Sequence, residues 1–290
     1  MKIPVILDTD IGTDIDDTWA LAMILNSPEL DIKLVTSATL DTYERAKIIA
    51  RILEVAGRTD IPIGIGIKQD DKPLPQSPWV VDYDLSSYQG IIYDDASSAI
   101  EAVVTASDQP VTIIAIGPLT NIADALDRYP NLTGNSRFIG MCGSVFRGYA
   151  DNTPVAEYNV MLDVKAAQKV FSAPWEITFT PLDTCGIVRL ESNHYRKVKD
   201  SSAPLARAVI DNYQVWLNEQ PDGSRSSILY DTVAIYLAFS DELLEMHDLG
   251  IRVTDEGFTV PDASSKITKC ATGWRDIDGF YDLLVDRLTK

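Results

Sequence analysis

The chain has 290 residues, of which 46% are hydrophobic and 23% are charged, and its formal net charge is −18 at pH 7. This length is enough to bury a substantial core, and the acidic balance argues against nucleic acid or an anionic membrane surface as a partner. The three cysteines, Cys142, Cys185 and Cys270, are far apart and show no zinc-site or disulfide-framework spacing. No apolar run is as long as a membrane span, and the N-terminal run is too short for a signal peptide, so we expect a cytoplasmic protein.

Strand-like and helix-like segments alternate along the first half of the sequence. Apolar runs at 5–7 and 32–35 are each followed by helical periodicity, over about 17–25 and 42–56. A helix over 96–106 precedes the continuously apolar run 111–116, which is typical of a central parallel strand buried on both faces. A helix over 119–126, short strands at 138–141 and 177–179, a hairpin over 251–260 and a helix over 280–288 follow. The pattern predicts one α/β domain, residues 1–290, with a mostly parallel central sheet flanked by helices.

Two stretches interrupt this alternation. Residues 68–95 are rich in Pro, Tyr, Asp and Ser and are too long for a plain connection, which favours a functional loop or lid. Trp79, Tyr83, Tyr88 and Tyr93 in this stretch are candidates for stacking on a ligand, although aromatic residues are also common in surface loops. Residues 143–159 form a similar stretch that contains the motif DNTPVAEYN.

The most informative feature is a cluster of five aspartates within residues 7–17 (LDTDIGTDIDD), with no Lys or Arg beside them in the sequence: Asp8, Asp10, Asp14, Asp16 and Asp17. The cluster lies between the first strand and the first helix, which is the usual ligand crevice of an open α/β sheet. So many like charges destabilise a fold unless a cation neutralises them. Oxygen ligands without His or Cys indicate Ca²⁺ or Mg²⁺ rather than zinc. One or two aspartates would suit an ordinary acidic helix cap, whereas five favour a metal site.

Four segments resemble, in order and over nearly the whole chain, the nucleoside hydrolase family, whose members cleave the N-glycosidic bond of ribonucleosides. The segments are DTDIGTDIDDTWAL at 8–21, AIGPLTNIADAL at 115–126, TPVAEYNVMLDVKAA at 153–167 and LYDTVAIYLA at 229–238. The resemblance implies a Rossmann-like α/β fold with the site at the carboxyl ends of the strands. It also implies a small nucleoside or sugar substrate and a homodimer or homotetramer.

The resemblance further implies roles for the matching positions. The metal ligands would be Asp10, Asp17, the main-chain carbonyl of Thr120 and Asp231, and the ion would be Ca²⁺. Asp10 would also accept the proton of the water that attacks the anomeric carbon. Carboxylates around the sugar ring would stabilise an oxocarbenium-like transition state. The candidate substrate-binding residues are Asp16, Asp41, Asp151, Asn152, Glu157 and Asn159.

The chain departs from the family pattern at several positions. Two extra residues precede the Asp16-Asp17 pair, and they make Asp14 an additional carboxylate without an assigned role. Asp41 and Asp151 stand where many members have Asn.

A further departure affects the leaving group. Many members carry a His before the last metal-binding Asp, where it helps to protonate the departing base, and here that position is Tyr230. We consider Tyr230 a catalytic candidate, with a half-buried aromatic at a helix start as the equally plausible alternative. The two histidines of the chain, His194 and His247, fall in no matching motif.

These observations predict a metal-dependent hydrolase of N-glycosidic bonds in a nucleoside or related riboside. One alternative is a relative that binds a sugar or nucleoside and is either non-catalytic or of altered specificity. Another is a phosphatase of the haloacid dehalogenase type, whose D-x-D-x-T motif fits Asp8 and Asp10 but not Gly12 at its fifth position. An EF-hand loop is excluded because its twelfth position, counted from Asp8, is Trp19 instead of Glu.

Overall fold

The most apolar segments of the sequence form the centre of the sheet. In the computed structural model, which describes residues 1–218 and 224–290, β1 (Ile3–Thr9) pairs in parallel with β2 (Leu30–Ser37) on one side. On the other side it pairs in parallel with β5 (Val111–Ala115), all of whose residues are buried. Helices cover both faces of these strands, so an almost continuous apolar run is what burial requires here.

Ten strands in the described ranges form one sheet, in the order β4-β3-β2-β1-β5-β6-β7-β10-β8-β9. The pairs from β4 to β10 are parallel, whereas β8 and β9 extend one edge in antiparallel orientation. The remaining strands are β3 (Ile63–Ile65), β4 (Ile92–Tyr93), β6 (Ser136–Met141), β7 (Ile177–Thr180), β8 (Leu244–Val253), β9 (Thr259–Pro261) and β10 (Ile267–Trp274). The predicted α/β class with a mostly parallel, mixed sheet is confirmed.

Helices pack on both faces of this sheet. On one face α1 contacts α9, α10 and α11, and on the other α4 contacts α3 and α6. The bounds are α1 (Asp16–Leu25), α2 (Thr42–Val55), α3 (Ala96–Ala106), α4 (Thr120–Arg128), α5 (Tyr158–Leu162), α6 (Val164–Ser172), α7 (Leu182–Cys185), α8 (Ser192–Lys199), α9 (Pro204–Leu217), α10 (Thr232–Leu237) and α11 (Ile277–Leu288). Each face of the sheet therefore has its own apolar core.

The stretch 68–95 differs from the predicted loop or lid. Trp79 and Tyr88 are buried, and the Tyr88 hydroxyl donates to the carbonyl of Ile61 at 2.7 Å. The 3₁₀ turn at Ser77–Val80 packs against α2 and α9, and the stretch ends in the edge strand β4. Trp79 and Tyr88 serve the core beside the sheet, because this side of α2 would otherwise expose apolar surface to water, whereas Tyr93 is exposed.

Two sequence expectations concern compartment and membranes. None of the helices in the described parts of the chain has both the length and the apolar character needed to cross a membrane. The three cysteines are buried and carry free thiols, as expected from their spacing.

Candidate active site

A cavity of about 280 Å³ opens at the carboxyl ends of β1, β5 and β6. This position is where parallel α/β sheets place their ligands. The lining residues are Asp10, Thr13, Asp14, Asp16, Asp17, Ile116, Met141, Tyr149, Glu157, Tyr158, Asn159, Tyr230 and Asp231. No Lys, Arg or His side chain is among the described residues that line it. The cavity thus combines carboxylates with phenols and one amide.

The turn between β1 and α1 is built to hold carboxylates close together. Gly12 has φ +117°, a conformation that side chains with a Cβ rarely adopt, and this lets the chain reverse directly after Asp10. Asp16 and Asp17 then form the first turn of α1, where the positive end of the helix dipole favours negative charge. The hydroxyl of Thr9 donates to Asp17, and the backbone N–H of Asp231 donates to Asp16 at 3.3 Å.

Three carboxylates converge at the bottom of this turn. Ligand atoms from Asp16, Asp17 and Asp231 all lie within 4.8 Å of one another, and no other group in the described residues meets this criterion for a metal site. Burial, followed by the charges of the neighbouring carboxylates, raises the pKa of each of the three well above its usual range. Burial likewise raises the pKa of Asp10 to about 6. A divalent cation would remove this repulsion, so the donor set fits a hard cation such as Ca²⁺ or Mg²⁺.

The sequence suggested that no basic residue lies near the cluster, but Arg45 of α2 does. Arg45 is fully buried and donates to the main-chain carbonyls of Thr39 and Ile11, each at 2.8 Å, and to that of Asp10. It also donates to the hydroxyl of Thr13 at 2.9 Å. Its charge partly opposes the upward pKa shifts of the aspartates at positions 10 and 17. Arg45 therefore supports the aspartate turn from behind without lining the cavity.

Glu157 and Asn159 form the wall opposite the aspartate turn. The Glu157 carboxylate accepts from the backbone N–H groups of Gly143 at 2.9 Å and Asn159 at 3.0 Å, while burial raises its pKa to about 7. The Asn159 amide donates to the carbonyls of Ile116 at 3.2 Å and Met141 at 3.0 Å. Both side chains are held in place by main-chain groups, which suits residues that must contact a ligand in a fixed geometry.

Tyr230 lies at the mouth of the cavity, directly before Asp231 and α10. Its ring meets that of Tyr149 edge to face, with centroids 6.2 Å apart and planes at 90°. Burial, more than the nearby charge of Asp16, raises the pKa of the Tyr230 phenol above its ordinary value. This side chain is therefore protonated at neutral pH. The two histidines lie elsewhere: His194 contacts Asp282, and His247 contacts Thr272.

Four predicted site residues are not brought to the cavity. Thr120 does not line the cavity, and its hydroxyl donates to Asp163 at 2.8 Å. Ile116, directly after β5, lines the cavity instead. Asp41 caps α2 and pairs with Lys68 at 3.2 Å. Asp151 pairs with Arg147 at 3.2 Å, and the Asn152 amide donates to the Tyr149 carbonyl at 3.0 Å. Local capping and ion pairing engage these side chains, and a match of sequence position alone does not reveal such contacts.

Several lining residues were missed by the sequence reasoning. Tyr149 and Tyr158 belong to the stretch 143–159, and Thr13 belongs to the lengthened turn. Ile116 and Met141 directly follow or end buried strands. The signal available for the last two was their position at strand ends, since a main-chain carbonyl there faces the crevice whatever the side chain is.

The fold is a mostly parallel α/β sheet, and the carboxylate-lined crevice at its carboxyl edge suits a cation and a polyhydroxylated substrate. The sequence model of the family described as inosine-uridine preferring nucleoside hydrolase matches residues 5–279. The chain therefore belongs to this family, and the predicted class, a hydrolase of N-glycosidic bonds, is confirmed.

Individual relatives cover the whole chain. A pyrimidine-specific ribonucleoside hydrolase RihA of an Enterobacter species is 31% identical over 100% of this chain and 99% of its own length. The RihA of an Escherichia coli strain is 29% identical over 99% of each chain. A plant nucleoside hydrolase structure superposes with a TM-score of 0.85 at 23% identity, covering 100% of this chain and 99% of its own. The structure of a purine-preferring ribonucleoside hydrolase from Gardnerella vaginalis superposes with a TM-score of 0.79 at 22% identity. It covers 99% of this chain and 98% of its own.

Proposed function

We propose that the protein is a Ca²⁺-dependent N-ribohydrolase that cleaves the bond between the sugar and the base of a small nucleoside or related riboside. The observation that carries this proposal is the convergence of three buried carboxylates within 4.8 Å, in a cavity whose opposite wall is Glu157 and Asn159. Carboxylates on both sides of a sugar-sized cavity suit a substrate with several hydroxyls and a transition state with developing positive charge.

The proposed metal ligands are Asp17 and Asp231 from the converging group, Asp10 from the same cavity, and a main-chain carbonyl from the end of β5; Asp16, the third member of the group, is assigned to the sugar instead. Ile116 supports the last role better than Thr120, because its carbonyl accepts from Asn159, which itself lines the cavity. When bound, the cation supplies a positive charge that holds sugar hydroxyls and makes water more acidic. Ca²⁺ suits this set because it accepts several oxygen ligands in a flexible geometry.

The chain's own residues would carry the remaining steps. Asp10 accepts the proton of the attacking water, for which burial and a pKa of about 6 make it a suitable base near neutral pH. Asp16, Glu157 and Asn159 hold the sugar hydroxyls and stabilise the oxocarbenium-like transition state. Tyr230 is the proposed donor to the leaving group. Its neutral phenol is a weaker acid than an imidazolium.

Hydrolysis itself tests this proposal. The purified protein is assayed with Ca²⁺ on uridine, inosine and p-nitrophenyl riboside, and again after chelation of the metal. Release of ribose that depends on the cation supports the proposal. If the protein binds these compounds without turnover, the alternative of a non-catalytic binding protein is correct. If it cleaves a phosphate monoester instead, the phosphatase alternative is correct.

Three further proposals concern the setting of the enzyme. We propose a homodimer or homotetramer, as the family resemblance implies, and sedimentation velocity of the purified chain tests this. Residues 1–290 would form a single domain, which limited proteolysis tests. A cytoplasmic location agrees with three buried free thiols, because cytosolic conditions keep thiols reduced.

A further inference from the structure

Three tyrosines form an aromatic wall at the mouth of the cavity: Tyr149, Tyr158 and Tyr230. The rings of Tyr149 and Tyr230 pack edge to face with their centroids 6.2 Å apart. The hydroxyl of Tyr149 accepts the backbone N–H of Tyr158 at 3.2 Å. The wall is thus fixed by contacts between its own members. Tyrosine rings present electron-rich faces, which attract a cation placed over them.

Asp14 adds a carboxylate to this same mouth. It is exposed to solvent, and its side chain accepts the backbone N–H of Ile15 at 2.7 Å. Asp14 lines the same cavity as Tyr149 and Tyr230, so Asp14 and both tyrosines border the same space.

The turn that carries Asp14 is anchored from two sides. The side-chain amide of Gln76 donates to the Asp14 carbonyl at 2.5 Å, and the Trp216 indole donates to the Thr13 carbonyl at 3.0 Å. Gln76 is itself fully buried and accepts from Asn212 at 2.6 Å. The extra carboxylate is therefore held beside the aromatic wall instead of moving freely in solvent.

The charges around the cavity are not balanced at its mouth. A divalent cation at the bottom would offset two of the charges of the inner carboxylates, but it would leave the exposed carboxylate of Asp14 at the mouth without a basic partner. In the described part of the chain no basic side chain lines the cavity, and the sequence of residues 219–223 contains none. Such a mouth disfavours phosphorylated substrates and favours a ligand with positive charge beside the aromatic rings.

We propose, building on the hydrolase function above, that the leaving group of the preferred substrate is a positively charged base, as in an N-ribosylpyridinium. Asp14 and the aromatic wall recognise this charge. In the reaction, a water oxygen forms a bond to the anomeric carbon, and Asp10 takes the water proton. The bond from that carbon to the ring nitrogen breaks, and its electron pair neutralises the pyridinium. The base therefore leaves as a neutral pyridine without receiving a proton, which suits a cavity lined by phenols instead of an imidazole.

The test compares ribosylated pyridinium-3-carboxamide with uridine and p-nitrophenyl riboside, all in the presence of Ca²⁺. The wild-type protein should have a kcat/KM for the pyridinium compound at least about 10-fold above that for uridine, since a general acid is typically worth ~10²–10⁴-fold and only uridine needs one. Asp14→Asn should lower kcat/KM for the pyridinium compound roughly 5- to 10-fold, as expected for one charge pair at partial exposure. The same variant should leave kcat/KM for p-nitrophenyl riboside within about twofold of the wild-type value. That leaving group is neutral in the substrate and also departs without a proton.

Asp255→Asn is the matched control, since it removes one exposed carboxylate from the turn between β8 and β9, where Asp255 pairs with Lys165. This control variant should leave kcat/KM unchanged for all three substrates. A second measurement needs no variant: added salt should lower kcat/KM for the pyridinium compound more than for the neutral compounds.

The outcomes separate this inference from the function on which it rests. If Asp14→Asn lowers kcat/KM equally for the pyridinium and p-nitrophenyl compounds, Asp14 only shapes the turn. A wild-type preference for uridine would overturn the inference while leaving the hydrolase function intact. Absence of turnover on every riboside, with Ca²⁺ bound, would instead refute the proposed function.

Discussion

Arg45→Met should strongly destabilise the metal-free protein. The guanidinium is fully buried and donates to the main-chain carbonyls of Asp10, Ile11 and Thr39, which belong to the aspartate turn and to the segment after β2. Methionine keeps much of the apolar stem but supplies no donor, so these three acceptors lose their buried partner.

The magnitude follows from these contacts. A buried acceptor left without a partner costs ~1–3 kcal/mol, and Arg45 has three such main-chain acceptors. Arg45 also opposes the repulsion among the aspartates at positions 10 and 17. Because these contributions overlap, we expect the free energy of unfolding to fall by about 3–5 kcal/mol in total.

Urea denaturation followed by circular dichroism, in the presence of a chelator, measures this loss. Arg58→Met is the control, because Arg58 is a surface residue whose partner, Asp60, is largely exposed. That change should cost less than ~1 kcal/mol, the usual worth of an exposed ion pair. A loss of similar size in the two variants would refute the view that Arg45 holds the aspartate turn together.

Three other predictions concern the cation and the catalytic groups. Asp10→Asn should fold normally, since it relieves repulsion between carboxylates, and should abolish ribose release from p-nitrophenyl riboside; near-normal turnover would exclude Asp10 as the base. Calcium affinity, measured by calorimetry, should rise between pH 5 and pH 8. Burial raises the folded-state pKa of Asp10 to about 6 and raises those of Asp16, Asp17 and Asp231 well above their usual range. Protonation therefore stabilises the metal-free fold fully below about pH 4, and this contribution is lost as the pH rises through the folded-state values. Cation binding competes with these protons, so an affinity independent of pH would contradict the assignment. Tyr230→Phe should change turnover of p-nitrophenyl riboside by less than about threefold, because that leaving group needs no proton; a loss above 100-fold would give Tyr230 a different role.

The sequence predicts the central part of the fold well because the signals there are local. The apolar run that becomes β5 is continuous, and the periodicities of α2 and α3 predict both helices to within a residue at each end. The short strands β3 and β4 were not predicted, since two or three residues are too few for a periodic pattern. The sequence left the aromatic residues of 68–95 as either ligand contacts or ordinary surface aromatics, and it did not reveal the burial of Trp79 and Tyr88, because composition does not show which face of a loop meets the core.

Some residues of the candidate site could be predicted from the sequence and others could not. The dense aspartate motif and the segments around Glu157 and Tyr230 predict cavity positions, because close spacing on rigid elements brings these side chains together. Arg45 could not be assigned, since its contacts with the aspartate turn are with main-chain carbonyls about 35 positions earlier in the sequence. The position of Asp151 depends on its local pairing with Arg147, which a motif match does not specify.

A crystal structure with Ca²⁺ and a bound ribose-like ligand tests the central claim most directly. We expect one cation among Asp10, Asp17 and Asp231, with oxygen distances of about 2.3–2.6 Å and a main-chain carbonyl from Ile116 in its shell. The sugar hydroxyls should lie between this ion and the wall formed by Glu157. An ion bound elsewhere, or a ligand seated in this cavity without any cation, would contradict the account.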